Sequence, residues 1–224
     1  MKTIRSSILC LVVLFLAAPL LRAQDLSKYR NFSFGMSLST VLKHTDQKMA
    51  DVKVTHAHPA LIQELTWWPP NISGASFQSD PVEQILFSFY NGELCKISVT
   101  YDRSATEGLT APDMVKAMTA KYGPATSVTP EIDSPAIERY ELKLKPVATW
   151  EDSQYSFNLV RSSFTDRFGL ILYAKQAEAK SDLAIAEAVK LEEQEGPLRE
   201  AERQKKETNI LEVARLKNQK TFHP

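Results

Sequence analysis

The stretch FSFYNGELCKISV, residues 87–99, sets two apolar runs on either side of Asn91-Gly92. Asn-Gly between alternating apolar residues is the strongest short-range signal of a β-hairpin. The register then decides which side chains share a face. A two-residue turn pairs Tyr90 with Glu93 and sends the rows Ile85/Phe87/Phe89 and Cys95/Ile97/Val99 to opposite faces. A three-residue loop, Tyr90-Asn91-Gly92, pairs Phe89 with Glu93. It sets Phe87 against Cys95 and Ile85 against Ile97, and gathers the apolar residues on one face. A slip of one residue turns every side chain over, so the buried pattern selects the register. The sequence therefore predicts the longer loop, a type I turn with Gly92 left-handed in a bulge.

That register makes Cys95 a small buried hydrophobe, the ordinary state of a free cysteine. A reactive thiol and an intermolecular bridge are the alternatives. The question matters because the chain begins MKTIRSSILCLVVLFLAAPLLRAQ: a basic start at Lys2 and Arg5, an apolar run over 8–16, and Leu21-Arg22-Ala23 before Gln24. That layout predicts a cleavable secretory signal over 1–23 and a periplasmic or secreted protein, with no stable membrane span after cleavage. Cys10 would leave with the signal, so the mature chain would hold Cys95 alone and no internal disulfide. Its stability must come from its core, for which about 200 residues are enough. With 27 basic and 27 acidic residues the net charge is zero, which speaks against nucleic acid as a partner.

The chain also repeats itself. GMSLSTVLK at 35–43 and GLTAPDMVK at 108–116 share glycine, Met or Leu, Ser or Thr, two apolar residues and lysine, at an offset of 73. Each is a sound helix start. Ser37 and Thr110 are N-caps, Asp113 completes a capping box, and Pro112 stands in the first turn where a missing N–H is harmless. Ala111, Met114, Met118 and Tyr122 keep the helical period until Gly123-Pro124. Strand-like runs at 60–68, 82–90 and 93–101 have counterparts near 133–141, 155–163 and 166–174, with Trp150 between as the start of a further short strand. The expected fold class is α+β: two tandem helix-plus-antiparallel-meander units, 24–106 and 107–174, with helices on one face and a charged helical tail over 175–224.

These helix starts resemble the opening of the SmpA/OmlA-type small outer-membrane proteins. The tandem pair resembles the β-lactamase-inhibitor-protein architecture, and KYGPAT followed by a tryptophan strand and LILYA is similar to segments of bacterial envelope proteins. The resemblance spans about residues 28–175. It implies protein binding without catalysis, with another envelope or secreted protein as the partner. The chain lacks the lipidated cysteine of the first group and the disulfides of the second.

Motifs for chemistry are sparse. There is no G-x-S-x-G, H-E-x-x-H, P-loop or G-x-G-x-x-G, and seven glycines leave little for phosphate-cradling loops. No cofactor is implied. His56 and His58 would point the same way from an extended segment, as metal ligands do, but no third ligand stands at a useful spacing. Trp67-Trp68-Pro69-Pro70 is the unusual surface candidate. Trp67 falls in a row with Leu65, so it reads as core; Trp68 either points outward as a binding group or packs at the sheet edge. Tyr90, at the hairpin end, completes the candidate binding set.

The tail, 175–218, is rich in Ala, Glu, Lys and Gln and has no aromatics. Ser181, Ala184, Ala188 and Leu191 make one helical stripe. Gly196-Pro197 is expected to break or kink it, with a second helix over 198–218. The tail is either a solvated extension or a partner-docking arm. The favoured function is a non-enzymatic envelope interaction module, a scaffold or an inhibitor. The alternatives are a small-ligand-binding protein and a hydrolase with its site between the two units.

Overall fold

The computed structural model describes residues 25–70, 81–129 and 144–221. The expected signal, the strand run 133–141 and much of the loop after Pro70 lie outside them. A small hairpin, β1 (Lys28–Tyr29) and β2 (Phe32–Ser33), opens the described chain. Helix α1 (Leu38–Thr45) follows, then β3 (Val52–His56), β4 (Ile62–Trp67), β5 (Val82–Tyr90) and β6 (Glu93–Tyr101). A short α2 (Arg103–Thr106) leads to α3 (Ala111–Tyr122), β7 (Ser127–Val128), β8 (Leu144–Glu151), β9 (Tyr155–Ser162), β10 (Phe168–Ala174) and the 47-residue helix α4 (Lys175–Thr221).

Eight strands form one antiparallel sheet in the order β3-β4-β5-β6-β10-β9-β8-β7. The fold is α+β, as the sequence indicates. Among the described residues, α1 with β3 to β6 and α3 with β7 to β10 build the two halves of the sheet, and the last strands of the halves, β6 and β10, meet at the centre. The sequence reading counts three strands per half. Two of the extra strands are the edges β3 and β7, too short or too polar to stand out in the pattern. The segment around Trp150 is the full strand β8.

Both helix starts behave as their residues dictate. Ser37 Oγ accepts from the Thr40 N–H at 3.4 Å. At Thr110 the capping box closes both ways, at 3.3 Å and 2.9 Å. The two N-caps lie 73 residues apart, at the spacing of the sequence repeat. Leu38, Val41, Met114 and Tyr122 bury one face of the helices against Phe87 and Phe157 of the sheet. Trp150 is fully buried there and donates its indole N–H to the Gly123 carbonyl at 2.8 Å, which satisfies the end of α3.

The helices of the two halves, α1 and α3, pack on one face of the sheet as expected, and the tail helix α4 packs elsewhere. Its small residues Ser181, Ala184 and Ala188 are buried. Ala184 packs in a separate cluster with Ala60 and Ile62, to which Tyr90 and Ile185 add. Ile62 alternates with the core residue Leu65 along β4, so this cluster lies on the opposite face of the sheet. The helix also runs unbroken through Gly196-Pro197. Glu195 and Arg199 form an ion pair across that step, and ion pairs at helical spacing support the chain beyond it.

The hairpin at residues 87–99 differs from its expected register. Asn91 and Gly92 are both left-handed, at φ 50° and 82°. Tyr90 pairs with Glu93, and Phe89 with Leu94: this is the two-residue turn, in the primed form that suits twisted strands. The register shifts just beyond, so that Ser88 meets Lys96, Phe87 meets Ile97 and Ile85 meets Val99. One extra residue is inserted, as the buried pattern demands, but at Cys95 rather than in the loop.

The reason lies in distant chain segments. Gly35 N–H donates to the Leu94 carbonyl and Leu94 N–H to the Met36 carbonyl, each at 2.9 Å. Asn91 exchanges two bonds with Leu61, its N–H to the Leu61 carbonyl at 2.8 Å and its Oδ1 accepting from the Leu61 N–H at 3.0 Å. Asn91→Ala removes the side-chain bond and leaves a residue that resists φ > 0; it should lower stability by about 2 kcal/mol. Gly92→Ala should cost about 1 kcal/mol from backbone strain alone. Urea unfolding of both variants measures this, and unchanged midpoints would show that the turn does not constrain the fold.

Candidate functional site

The tip of the first hairpin, Tyr29-Arg30-Asn31-Phe32, is anchored by its aromatic ends. Tyr29 and Phe32 are buried in the main core. The Phe32 ring lies 4.6 Å from Phe87, 5.9 Å from Trp67 in an edge-on contact, and 6.0 Å from His44 on α1. Between these anchors the chain turns with Arg30 left-handed, at φ 54°. The result is an open hollow of about 390 Å³ lined by Arg30, Asn31, Phe32, His44 and Trp67.

Two cations gather beside this hollow. Arg30 lies 5.4 Å from the centre of the Tyr29 ring. Lys121, at the end of α3, lies 5.7 Å from the same ring and 5.0 Å from Tyr122. Burial, with the Arg30 charge, holds the Lys121 ammonium below its ordinary pKa. Burial pushes the Tyr122 phenol up to about 12. Tyr101, also raised by burial, shares a hydrogen bond with Tyr29. The rim is therefore basic and aromatic, and the Tyr101 and Tyr122 phenols stay neutral.

The sequence candidates divide around this rim. Trp67 is half-buried on the core, as its row on β4 implies. Trp68, next in the chain, is 61% exposed. Tyr90 lies elsewhere: it packs, half-buried, on the cluster of Ala60, Ile62 and Ala184 on the opposite face. Its place in the binding set rests on strand position alone, which does not reveal that α4 covers it. Arg30, Asn31, His44 and Lys121 are absent from the sequence-based set. The signal available for the first two was the short Arg-Asn step between Tyr29 and Phe32.

His56 turns toward α4. Its Nδ1 stands 3.3 Å from Glu192 on α4, and among the described residues no three His, Cys, Asp or Glu side chains group to hold a metal. A second groove, about 420 Å³, lies between α3 and the strands β7 and β8. Its lining is mostly apolar, including Val115, Val128 and Val147, with Lys116 as the charged group. No helix among the described residues is long and apolar enough to cross a membrane.

Cys95 is buried, and its thiol donates to the Ser88 carbonyl at 3.2 Å. Burial pushes the thiol up to about 12, and Glu178 on α4 adds to the rise. Next to it, Lys96 and Glu178 form an ion pair at 2.6 Å. Burial opposes the charge on Lys96, but its hydrogen bond with Glu178 outweighs that and raises its pKa. Cys95 is thus held neutral between the sheet and α4. The folded protein should leave Cys95 unreacted with a thiol reagent at pH 8, and should react once unfolded in guanidinium; rapid native labelling would show that α4 does not shield it.

The two tryptophans should also separate in thermal melts. Trp67→Ala removes a ring from the core edge and should cost about 2–3 kcal/mol, whereas Trp68→Ala should change stability by less than about 0.5 kcal/mol. Equal losses would place Trp68 in the packing. No family model, no curated protein and no solved structure matches this chain.

Proposed function

We propose that this chain is a non-enzymatic protein-interaction module of the periplasm or the secreted space, an envelope scaffold or inhibitor-like protein. It contacts an envelope or secreted partner through the rim at Trp68. The observation that carries this reading is the exposed Trp68, next in the chain to Trp67, which lines an open hollow together with Arg30 and His44. Isolated exposed apolar residues are ordinary, but a tryptophan pair whose first member shares a hollow with arginine has the composition of binding hot spots. Trp68 follows a strand end whose neighbour Trp67 is wedged against Phe32, so the surface is held in place before contact. The Trp67 ring therefore has little side-chain freedom left to lose on binding. The chemistry of the rim suits a partner that offers an apolar side chain flanked by carboxylates.

A photo-crosslinking amino acid in place of Trp68, in the producing cell, tests this. It should give one discrete adduct with an envelope or secreted protein. The same group in place of Leu183, exposed on α4, should not give that adduct. Absence of any adduct from position 68 would remove the rim as the contact surface.

A further inference from the structure

Helix α4 has two physically different parts. Its first turns carry the buried residues Ser181, Ala184 and Ala188 and seat on the sheet. From Glu192 to Thr221 every residue is exposed. This arm is about 45 Å long at 1.5 Å per residue. A helix of that length with nothing to pack on is marginal in water unless charge pairs or a partner support it.

The charges on the arm are sorted along its length. Residues 187–202 hold six acidic and two basic side chains; residues 203–220 hold two acidic and six basic. Ion pairs within the helix use part of this set: Glu195 with Arg199, Arg203 with Glu200 and Glu207, and Glu212 with Arg215. Among the described residues, Glu187, Glu202, Lys206 and Lys220 enter no ion pair. At 100° per residue these four fall on one side of the helix together with Leu191, Leu198, Val213 and Leu216. Pro197 falls on the other side. Leu198, Val213 and Leu216 are exposed there.

We propose that the arm pairs antiparallel with the arm of a second copy of this chain, about a two-fold axis at Gln204. In that register Glu202 faces Lys206 of the second copy, Leu191 faces Leu216, and Glu187 faces Lys220. The first pair is centred on Gln204 and the other two half a residue before it, less than about 1 Å along the helix, so one register brings all three together, each twice. A parallel pair would set Glu202 on Glu202 and Lys206 on Lys206, which repel. The antiparallel pair holds two folded sheets about 50 Å apart at opposite ends of a two-helix rod. This pairing does not depend on the rim at Trp68 having a partner, and it leaves that rim free on both copies.

The test is the mass in solution of the purified full chain by sedimentation equilibrium, up to about 100 μM. The chain should have twice its monomer mass at low salt and dissociate as salt rises, because the facing charges are exposed and screened. E187K/E202K should be monomeric, and so should K206E/K220E. An equimolar mixture of the two should recover the doubled mass, since each reversed charge then meets its complement. These positions are exposed, so circular dichroism of each variant should match that of the unaltered chain. A monomer at all concentrations would overturn the proposal. So would a dimer that neither variant weakens, or two monomeric variants that do not recover on mixing. Crosslinking from position 68 reads the rim separately, so failure of one does not imply failure of the other.

Discussion

The turn at Asn91-Gly92 is the point on which the first half of the fold depends. Two separate parts of the chain are bonded to it. The segment before α1 reaches it through Gly35 and Met36 at Leu94, and through the Leu38 N–H at the Gly92 carbonyl, 2.9 Å away. The start of β4 reaches it through the reciprocal bonds between Leu61 and Asn91. Buried backbone groups must find partners, and here the partners of one segment are the tip of another. The turn therefore sets where α1 begins and where β4 enters the sheet. It places Trp67 and, through Phe32, the first hairpin.

Joining the halves depends on close approach at the sheet centre. Strand β10 lies so near β6 that a Cβ at Gly169 would come within 2.9 Å of the Val99 carbonyl. The rest of the junction is aromatic. The stacked rings of Phe34 and Tyr155, 5.5 Å apart, tie the segment before α1 to β9. Tyr29 joins Tyr101 of β6 to Lys121 of α3. The first hairpin therefore bridges the helix-side core of both halves. The basic and aromatic rim is the solvent side of that bridge, and its rigidity follows from the packing beneath it.

Much of this was legible in the sequence wherever the cause was local. The caps at Ser37 and Thr110, the buried face of α3 and the alternation along β5 and β6 are set by residues within a few positions of one another. The buried stripe Ser181, Ala184 and Ala188 was legible for the same reason. The position of the bulge was not, because it is set by Gly35 and Met36, about sixty residues away from Cys95. Local pattern set Phe87 against Cys95 and Ile85 against Ile97, whereas the bulge at Cys95 sets Phe87 against Ile97 and Ile85 against Val99. The surroundings of Tyr90 were hidden for the same kind of reason: the cluster it packs on includes Ala184, about 95 residues further on. His44 and Lys121 carry no motif, and only the packing of α1 and α3 brings them to the rim.

The continuity of α4 is the remaining constraint, and it links the two surfaces. A proline inside a helix removes one backbone hydrogen bond and crowds the preceding turn, at a cost of about 3 kcal/mol or more. Pro197 stands where the helix has already left the sheet, so no packing offsets that cost. What remains is the ladder of charge pairs from Glu195 to Arg215, each contributing only a few tenths of a kcal/mol in an exposed helix. The pairs within one arm do not use Glu187, Glu202, Lys206 and Lys220, yet these lie in line with its exposed leucines. An isolated arm therefore keeps its weakest step unsupported while its complementary charges face water. A second arm in antiparallel register supplies the missing contact surface on the side away from Pro197. The same helix seals Cys95 at its root, so the seat and the arm are one element: holding the root on the sheet fixes the direction in which the arm is presented.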